Sequence, residues 1–457
     1  MHYFDIRPLM VTASFALAVA WGAVDASAQS DSIVRQRLEQ LGVTFTDSNT
    51  VQLISTGREK FDLMFADIRK ARRRVNLEYF NFRNDSIGKA LFTLLGQMVD
   101  AGVDVNAMYD SFGNSSNDAP LKNRHLRAIR IMGIDVREFD PIKFPWINHA
   151  YHRDHRKIVT IDERVCYAGG MNVADYYIHG RPSYGRWRDM HMRLTGPVVA
   201  HYDSIFRRMW NHSFHENLQP LAKSDTLKSD TLKPVTLKPD MLKPDTLNAD
   251  TATTPTSGGM AAMFDFTKAL APQPIATIGV VDRRPGRDSK LMRQAYVAAI
   301  EAAQHYIQIV NPYPTNVRSV RHAIWRALRR GVKVEIMVSS KSDVPITPDV
   351  VAREMKMMAK RGAHVYYNNN GFFHSKTMAV DGRFCTIGST NLDARSFLFD
   401  YEVNSFIIDS VTTARLQEIF EDDKADCTVF RASDYRKRFS LGHRITGWLF
   451  SIIRGFF

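Results

Sequence analysis

Cysteine is nearly absent: Cys166, Cys385 and Cys427 are the three in 457 residues. So odd and sparse a set excludes a disulfide framework. Cys166 and Cys385 each follow an aspartate by four residues in matching segments, which reads as a small apolar residue repeated in two buried strands. Long apolar runs are as scarce. Beyond residue 28 no stretch approaches the about 20 apolar residues that a spanning helix needs. Glycine-rich phosphate loops are missing, so nucleotide use is not indicated. No His, Cys, Asp and Glu cluster stands at ligand spacing, and a charged lysine is a poor ligand, so no metal and no other cofactor is expected.

What is present begins with an apolar run from Leu9 to Val24, preceded by His2 and Arg7 and followed by Ala26-Ser27-Ala28. That order is the pattern of an export signal, so residues 1–28 are expected to be a signal peptide cleaved after Ala28. The chain carries a net charge of +13, with a pI near 9.6. Such a balance favours anionic partners, whether nucleic acid, an anionic membrane surface or a phosphorylated substrate. Apolar residues make up 44% of the chain, enough for two domains of roughly 150–200 residues with sizeable cores.

Two stretches share one plan. In the first, a helical segment around Phe61, Met64, Phe65 and Ile68 leads to a strand from Val75 to Phe80. A helix from Ala90 to Val99 and a strand from Val103 to Tyr109 follow, ending at Asp110. The second copy has a helix through Ala295, Ala298, Ala299 and Ala302, a strand from Tyr306 to Val310, a helix from about Val320 to Arg330, and a strand from Val332 to Val338. Strands alternating with helices predict an α/β fold with a mainly parallel sheet. Between the copies Leu227, Leu232, Leu237, Leu242 and Leu247 recur every five residues, with Pro234, Pro239 and Pro244 among them. That spacing fits neither helix nor strand, and Pro removes backbone donors, so residues 223–259 read as a solvated linker. The expected units are therefore 29–222, 223–259, 260–430 and a C-terminal tail, 431–457.

The chemistry-bearing residues repeat in register. His155, Lys157 and Asp162 form a His-x-Lys-x4-Asp motif, with Gly169, Gly170 and Asn172 beyond it. His374, Lys376 and Asp381 form another, with Gly388, Ser389 and Asn391 at the same offsets. If the motifs lie in strands, His and Lys project to one face. Two such pairs facing each other supply two imidazoles and two cations. With the amides of Asn172 and Asn391, they suit a phosphoryl group that one imidazole attacks while the other protonates the leaving oxygen. Asp189 and Glu402, each following a motif, are expected to hold an imidazole in one tautomer.

On these motifs the chain resembles the phospholipase D superfamily, and within it the bacterial cardiolipin synthases. The resemblance runs from Leu53 to Asp409 outside the linker, through segments such as Asn76-Leu77-Glu78-Tyr79-Phe80, Trp187-Arg188-Asp189 and Gly388-Ser389-Thr390-Asn391. It implies two αβαβα domains in pseudo-symmetric arrangement with the active site at their interface. It also implies catalysis by His155, Lys157, Asp162, His374, Lys376 and Asp381 through a phosphohistidine, with phosphatidylglycerol as the anionic lipid substrate. Water as acceptor, giving a phospholipase, is the alternative, and a nuclease a further one; no nucleic acid partner is expected, because this chain carries both motifs and an interfacial tail. Asn311-Pro312-Tyr313-Pro314 departs from the Thr-Pro-Tyr-Phe run usual in the family, and an export signal stands where two membrane helices are common. The tail places Leu441, Ile445, Trp448, Leu449, Ile452, Ile453 and Phe456 on one helical face behind Arg436, Lys437 and Arg438, as in a helix lying at a lipid interface. The expected location is exported and membrane-associated, in the periplasm or on the outer face of the inner membrane. The oligomeric state stays open.

Overall fold

The apolar runs become adjacent strands in a computed structural model, which describes residues 31–141, 151–216, 273–286, 288–315 and 317–452. The expected signal peptide and linker lie outside the described residues. In the first half the strands are Phe45–Ile54 (β1), Arg74–Tyr79 (β2), Asp104–Asp110 (β3), Asp135–Phe139 (β4), Lys157–Ile161 (β5), Val165–Gly169 (β6), Arg186–Arg188 (β7) and His191–Thr195 (β8). In the second they are Ile275–Arg283 (β9), Tyr306–Val310 (β10), Lys333–Ser339 (β11), His364–Asn368 (β12), Gly371–Phe373 (β13), Thr377–Val380 (β14), Phe384–Gly388 (β15), Glu402–Ile408 (β16) and Cys427–Phe430 (β17).

Among the described residues fifteen strands form one sheet. From its centre outward the first half runs β1-β8-β6-β5-β2-β3-β4 and the second β9-β16-β15-β14-β10-β11-β12-β17. The orders match strand for strand until β17, and the halves join through antiparallel pairing of β1 with β9. The sheet is mixed, which corrects the mainly parallel expectation. Among the described residues of this sheet, β2-β3-β4 and β10-β11-β12 are the parallel pairs, where helices make the crossovers. The motif strands β5 and β14 turn back into β6 and β15 through residues 162–164 and 381–383, and turns that short join only antiparallel neighbours. Asp162, Glu163 and Asp381 take left-handed φ angles of 52°, 59° and 51° there.

Helices 57–69 and 86–100 cover the first half, and helices 291–302 and 318–329 the second. Thr56 and Asp85 start the first two by accepting from the backbone N–H of Glu59 and Gly88, satisfying donors that have no partner within the helix. Each half has its own apolar core. A third cluster lies on the seam, where Ile158, Cys166, Met192 and Leu194 of the first half meet Ile278, Cys385, Ile387 and Ile407 of the second. The cysteine pair is buried there as small apolar side chains, and all three cysteines are free. Val34, Leu38 and Val43, grouped by sequence with the first half, pack instead into the second half's core. Among the described residues no helix is long and apolar enough to cross a membrane.

Candidate active site

His155 and His374 do not lie within strands as the sequence suggested. Both occupy the extended lead-in just before β5 and β14, and each lead-in is fastened to the opposite half. The backbone N–H of His155 donates to the Tyr401 carbonyl at 3.0 Å, and that of His374 to the Arg188 carbonyl at 2.7 Å. β13, leading to His374, pairs in parallel with β7 of the first half. Arg156 points away from the site. It donates to Asp282 on β9 at 2.5 Å and reaches Glu78 at 3.4 Å, tying the first motif to the seam.

The side chains cross as the backbones do. Nδ1 of His155 lies 3.0 Å from Glu402 Oε1, and Nδ1 of His374 lies 2.7 Å from Asp189 Oδ2. Each carboxylate follows the motif of its own half and holds the other half's imidazole. A Nδ1–H given to the carboxylate leaves Nε2 with the lone pair. The Lys376 ammonium sits 2.8 Å from His374 Nδ1 as well, but it has no lone pair to accept that proton, so the Asp189 carboxylate takes it. Lys157 and Lys376 each also donate to the carbonyl of the histidine two residues before. Burial pushes these lysines down, to about 7 and about 8 respectively. Burial and the two lysines hold His155 well below the ordinary imidazole range. Burial and Lys376 lower His374, against an opposing pull from Asp189. Burial raises Glu402 to about 7, while Lys157 and the Ser389 hydroxyl work to lower it.

Gly170 and Ser389 occupy equivalent positions but do different things. Ser389 Oγ donates to Glu402. At Gly170 a Cβ would lie 2.2 Å from Asp189 Oδ1, so only glycine leaves that carboxylate room. The side-chain oxygens of Asn172 and Asn391 are buried and accept no hydrogen bond among the described residues, as befits amides that face a ligand. Asp162 and Asp381 are not brought into this cluster. They stand at the far ends of β5 and β14, where Asp162 accepts from the backbone N–H groups of Arg72, Arg73 and Arg74, and Asp381 from those of Gln304, His305 and Tyr306. Burial alone would raise the Asp162 carboxyl, but these three donors bring it below the usual range. The placement corrects the catalytic expectation for this pair: they fix the motif strands and do not reach the imidazoles.

Two contributors escaped the sequence reading. Lys60, fully buried, donates to the carbonyls of Met171 and Asn172 at 2.9 and 3.0 Å and so positions the Asn172 loop. Burial holds its ammonium well below the ordinary lysine range. Its signal was a lysine one turn before Met64 on an otherwise apolar helix stripe. Asp110 accepts from the backbone N–H of Asp154 at 2.8 Å and pairs with Arg153 at 3.1 Å, holding the residue before His155. Aromatic rings line the site: Phe80 beside His155, and Trp187, Tyr313 and Phe372 around His374.

Paired histidines and lysines, each imidazole steadied across a pseudo-twofold seam, define a phospholipase D-like centre. The family described as "Cardiolipin synthase, PLD-like domain" matches residues 64–210 and 296–424, and the chain belongs to it. A protein named cardiolipin synthase from Oceanobacillus iheyensis is 30% identical over 400 residues, covering 88% of this chain and 74% of the relative. One of the same name from Staphylococcus aureus is 31% identical over 396 residues, covering 86% and 71%. Among solved structures, phosphatidylserine synthase from Haemophilus influenzae superposes with a TM-score of 0.65 at 14% identity, covering 92% of this chain and 99% of that one; at that identity the likeness concerns the fold.

Proposed function

We propose that this chain is a phosphatidyltransferase that makes cardiolipin and glycerol from two molecules of phosphatidylglycerol. The observation that carries the reading is the crossed pair His155–Glu402 and His374–Asp189, in a chain whose relatives over most of its length are named cardiolipin synthases. His155 Nε2 attacks phosphorus of the first lipid. The P–O bond to glycerol breaks, and His374, as the imidazolium, protonates the leaving alkoxide. The neutral His374 then takes the proton from a hydroxyl of the second lipid. That oxygen attacks the phosphohistidine, the P–N bond breaks and His155 is restored. Lys157, Lys376 and the amides of Asn172 and Asn391 offset the charge on the phosphoryl oxygens. Asp162, Asp381 and Lys60 act as positioning residues. Incubating the purified protein with phosphatidylglycerol vesicles and resolving the products tests the reading. Cardiolipin with equimolar glycerol is expected; phosphatidic acid as the main lipid product replaces the acceptor with water and overturns it.

The reading extends to an exported, membrane-associated enzyme. In the C-terminal helix, Leu441–Ile452, the side chains of Leu441, Ile445, Trp448, Leu449 and Ile452 are 51–64% exposed. Gly447 is the buried residue, against the backbone of Asp349. The helix thus rests on helix 347–359 by its narrow face and keeps its apolar face outward, which suits the acyl boundary of a bilayer. Ile453 and Phe456, part of the expected face, lie outside the described residues.

A further inference from the structure

We propose that the cleft beneath the C-terminal helix is a second lipid site, separate from the active site, which takes the phosphodiester headgroup of an anionic membrane phospholipid. The proposal rests on reading the exposed helix face as membrane-facing. The cleft has a volume of about 300 Å³ and is lined by Arg353 and Lys356 of helix 347–359, Tyr435 and Arg436 of the short helix 435–438, and Arg444, Ile445 and Trp448 of the terminal helix. Three separate elements thus bring four cations to one opening.

None of the four makes an ion pair among the described residues, although most arginines of this chain's interior have carboxylate partners. Asp349, on the same helix as Arg353 and Lys356, is taken by His443 at 2.9 Å. Asp434 accepts from the Arg431 backbone. Nε of Arg444 is buried without a hydrogen-bond partner among the described residues. Lys356 lies 4.5 Å over the Tyr435 ring, and burial, with repulsion from Lys360, Arg436, Arg353 and Arg444, lowers its pKa. Four mutually repelling cations raise the energy of the empty cleft, and an anion relieves it.

The choice of occupant comes from the neighbours. Ile445 and Trp448 line the cleft and also belong to the outward apolar face. A group bound here therefore has its anion among the arginines and its next atoms beside an apolar surface, the layout of a glycerophospholipid with its chains in the bilayer. A free phosphate would leave the apolar rim wet.

Vesicle flotation with the full-length protein tests this, using phosphatidylcholine vesicles with and without a minority of phosphatidylglycerol. Removing two cleft charges in Arg353→Gln/Arg436→Gln should cut the preference for the anionic vesicles by about tenfold or more, leaving binding to pure phosphatidylcholine and turnover of short-chain soluble substrate unchanged. Arg127→Gln/Arg329→Gln, which removes the same charge from exposed positions elsewhere, should keep most of the preference. An unchanged preference in the cleft variant, or an equal loss in the control, overturns the site in favour of diffuse charge. A Trp448→Ser/Leu449→Ser variant should lose binding to both vesicles. If it binds both like the parent, the membrane-facing reading of the helix falls, and the cleft proposal with it. Neither result touches cardiolipin synthesis, which the product assay reads independently.

Discussion

Glu402 and His155 are 247 residues apart in the chain and 3.0 Å apart in space, and the carboxylate that steadies the first histidine thus comes from the second half. Asp189 returns the contact to His374 at 2.7 Å. At the active site neither half supplies both members of an imidazole–carboxylate pair.

The crossing is open to test by leaving group. Glu402→Gln and Asp189→Asn should each slow cardiolipin formation by about 10²–10⁴-fold, the range of a lost acid–base contribution. Only Asp189→Asn should regain rate on a phosphodiester whose leaving group needs no proton, because its defect lies with His374. Rescue of Glu402→Gln instead would assign leaving-group protonation to His155 and reverse the histidine roles.

The two histidine losses should differ in one respect. His374→Ala, given a substrate with a good leaving group, should still form and accumulate the phosphatidyl adduct. His155→Ala should form none with any substrate. Peptide mass after denaturation without acid locates the label; label on His374 in the His155→Ala protein would reverse the roles, and full activity in either variant would sink the mechanism.

Asp162→Asn and Asp381→Asn should act on stability more than on chemistry. Asn tolerates the left-handed turn, so each change isolates the lost charge at three backbone donors, and a cost of about 1–3 kcal/mol in denaturant unfolding is expected. Turnover of the folded fraction should stay within a few-fold. A loss as deep as that of a histidine variant, with stability unchanged, would return these residues to the chemical step.

Proton linkage gives a fourth expectation. Lys157 and Lys376 titrate at about 7 and about 8 in the fold, below the usual 10.4 or so. The unfolded chain therefore binds more protons across that window. The ligand-free protein should gain stability from these lysines as pH rises from about 7 towards 10, and lose it as pH falls back. Glu402, raised to about 7, acts in the lower window of about 4.5 to 7, where its contribution declines as pH rises. A phosphate-like anion re-protonates the lysines, so binding near pH 8 should take up protons and weaken as pH climbs. Calorimetry in buffers of different ionisation enthalpy reads the uptake, and zero uptake would show the lysines already charged.

Much of this was legible in the sequence. Strand Tyr306–Val310 fell where apolar run length placed it, and the strands Arg74–Tyr79, Asp104–Asp110 and Lys333–Ser339 within a residue, because β-branched segments bounded by turn residues such as Gly102, Pro312 and Gly331 are strong local signals. Register repetition also exposed the histidines, lysines and asparagines. The seam strands β1 and β9 were not legible: Thr46, Asn49, Thr50 and Gln52 dilute the pattern of β1, whose burial is decided by the other half. The destination of Asp162 and Asp381 was hidden for a similar reason. Motif spacing records that an aspartate opens a hairpin turn, and only the neighbouring strand reveals that it gathers three N–H groups. Lys60 was overlooked because one polar residue on an apolar stripe looks like an irregularity until its two carbonyl partners arrive from 111 and 112 residues away.

Gly170 opposite Ser389 has a consequence for direction. A perfect twofold axis through the seam would make the two imidazoles degenerate, and substrate could approach in either of two poses related by that rotation with equal energy. The serine hydroxyl and longer carboxylate on one side, against bare backbone and a shorter carboxylate on the other, lift that degeneracy. A duplicated frame thereby acquires a polarity, so that donor and acceptor lipids meet two chemically distinct faces of what is topologically the same surface.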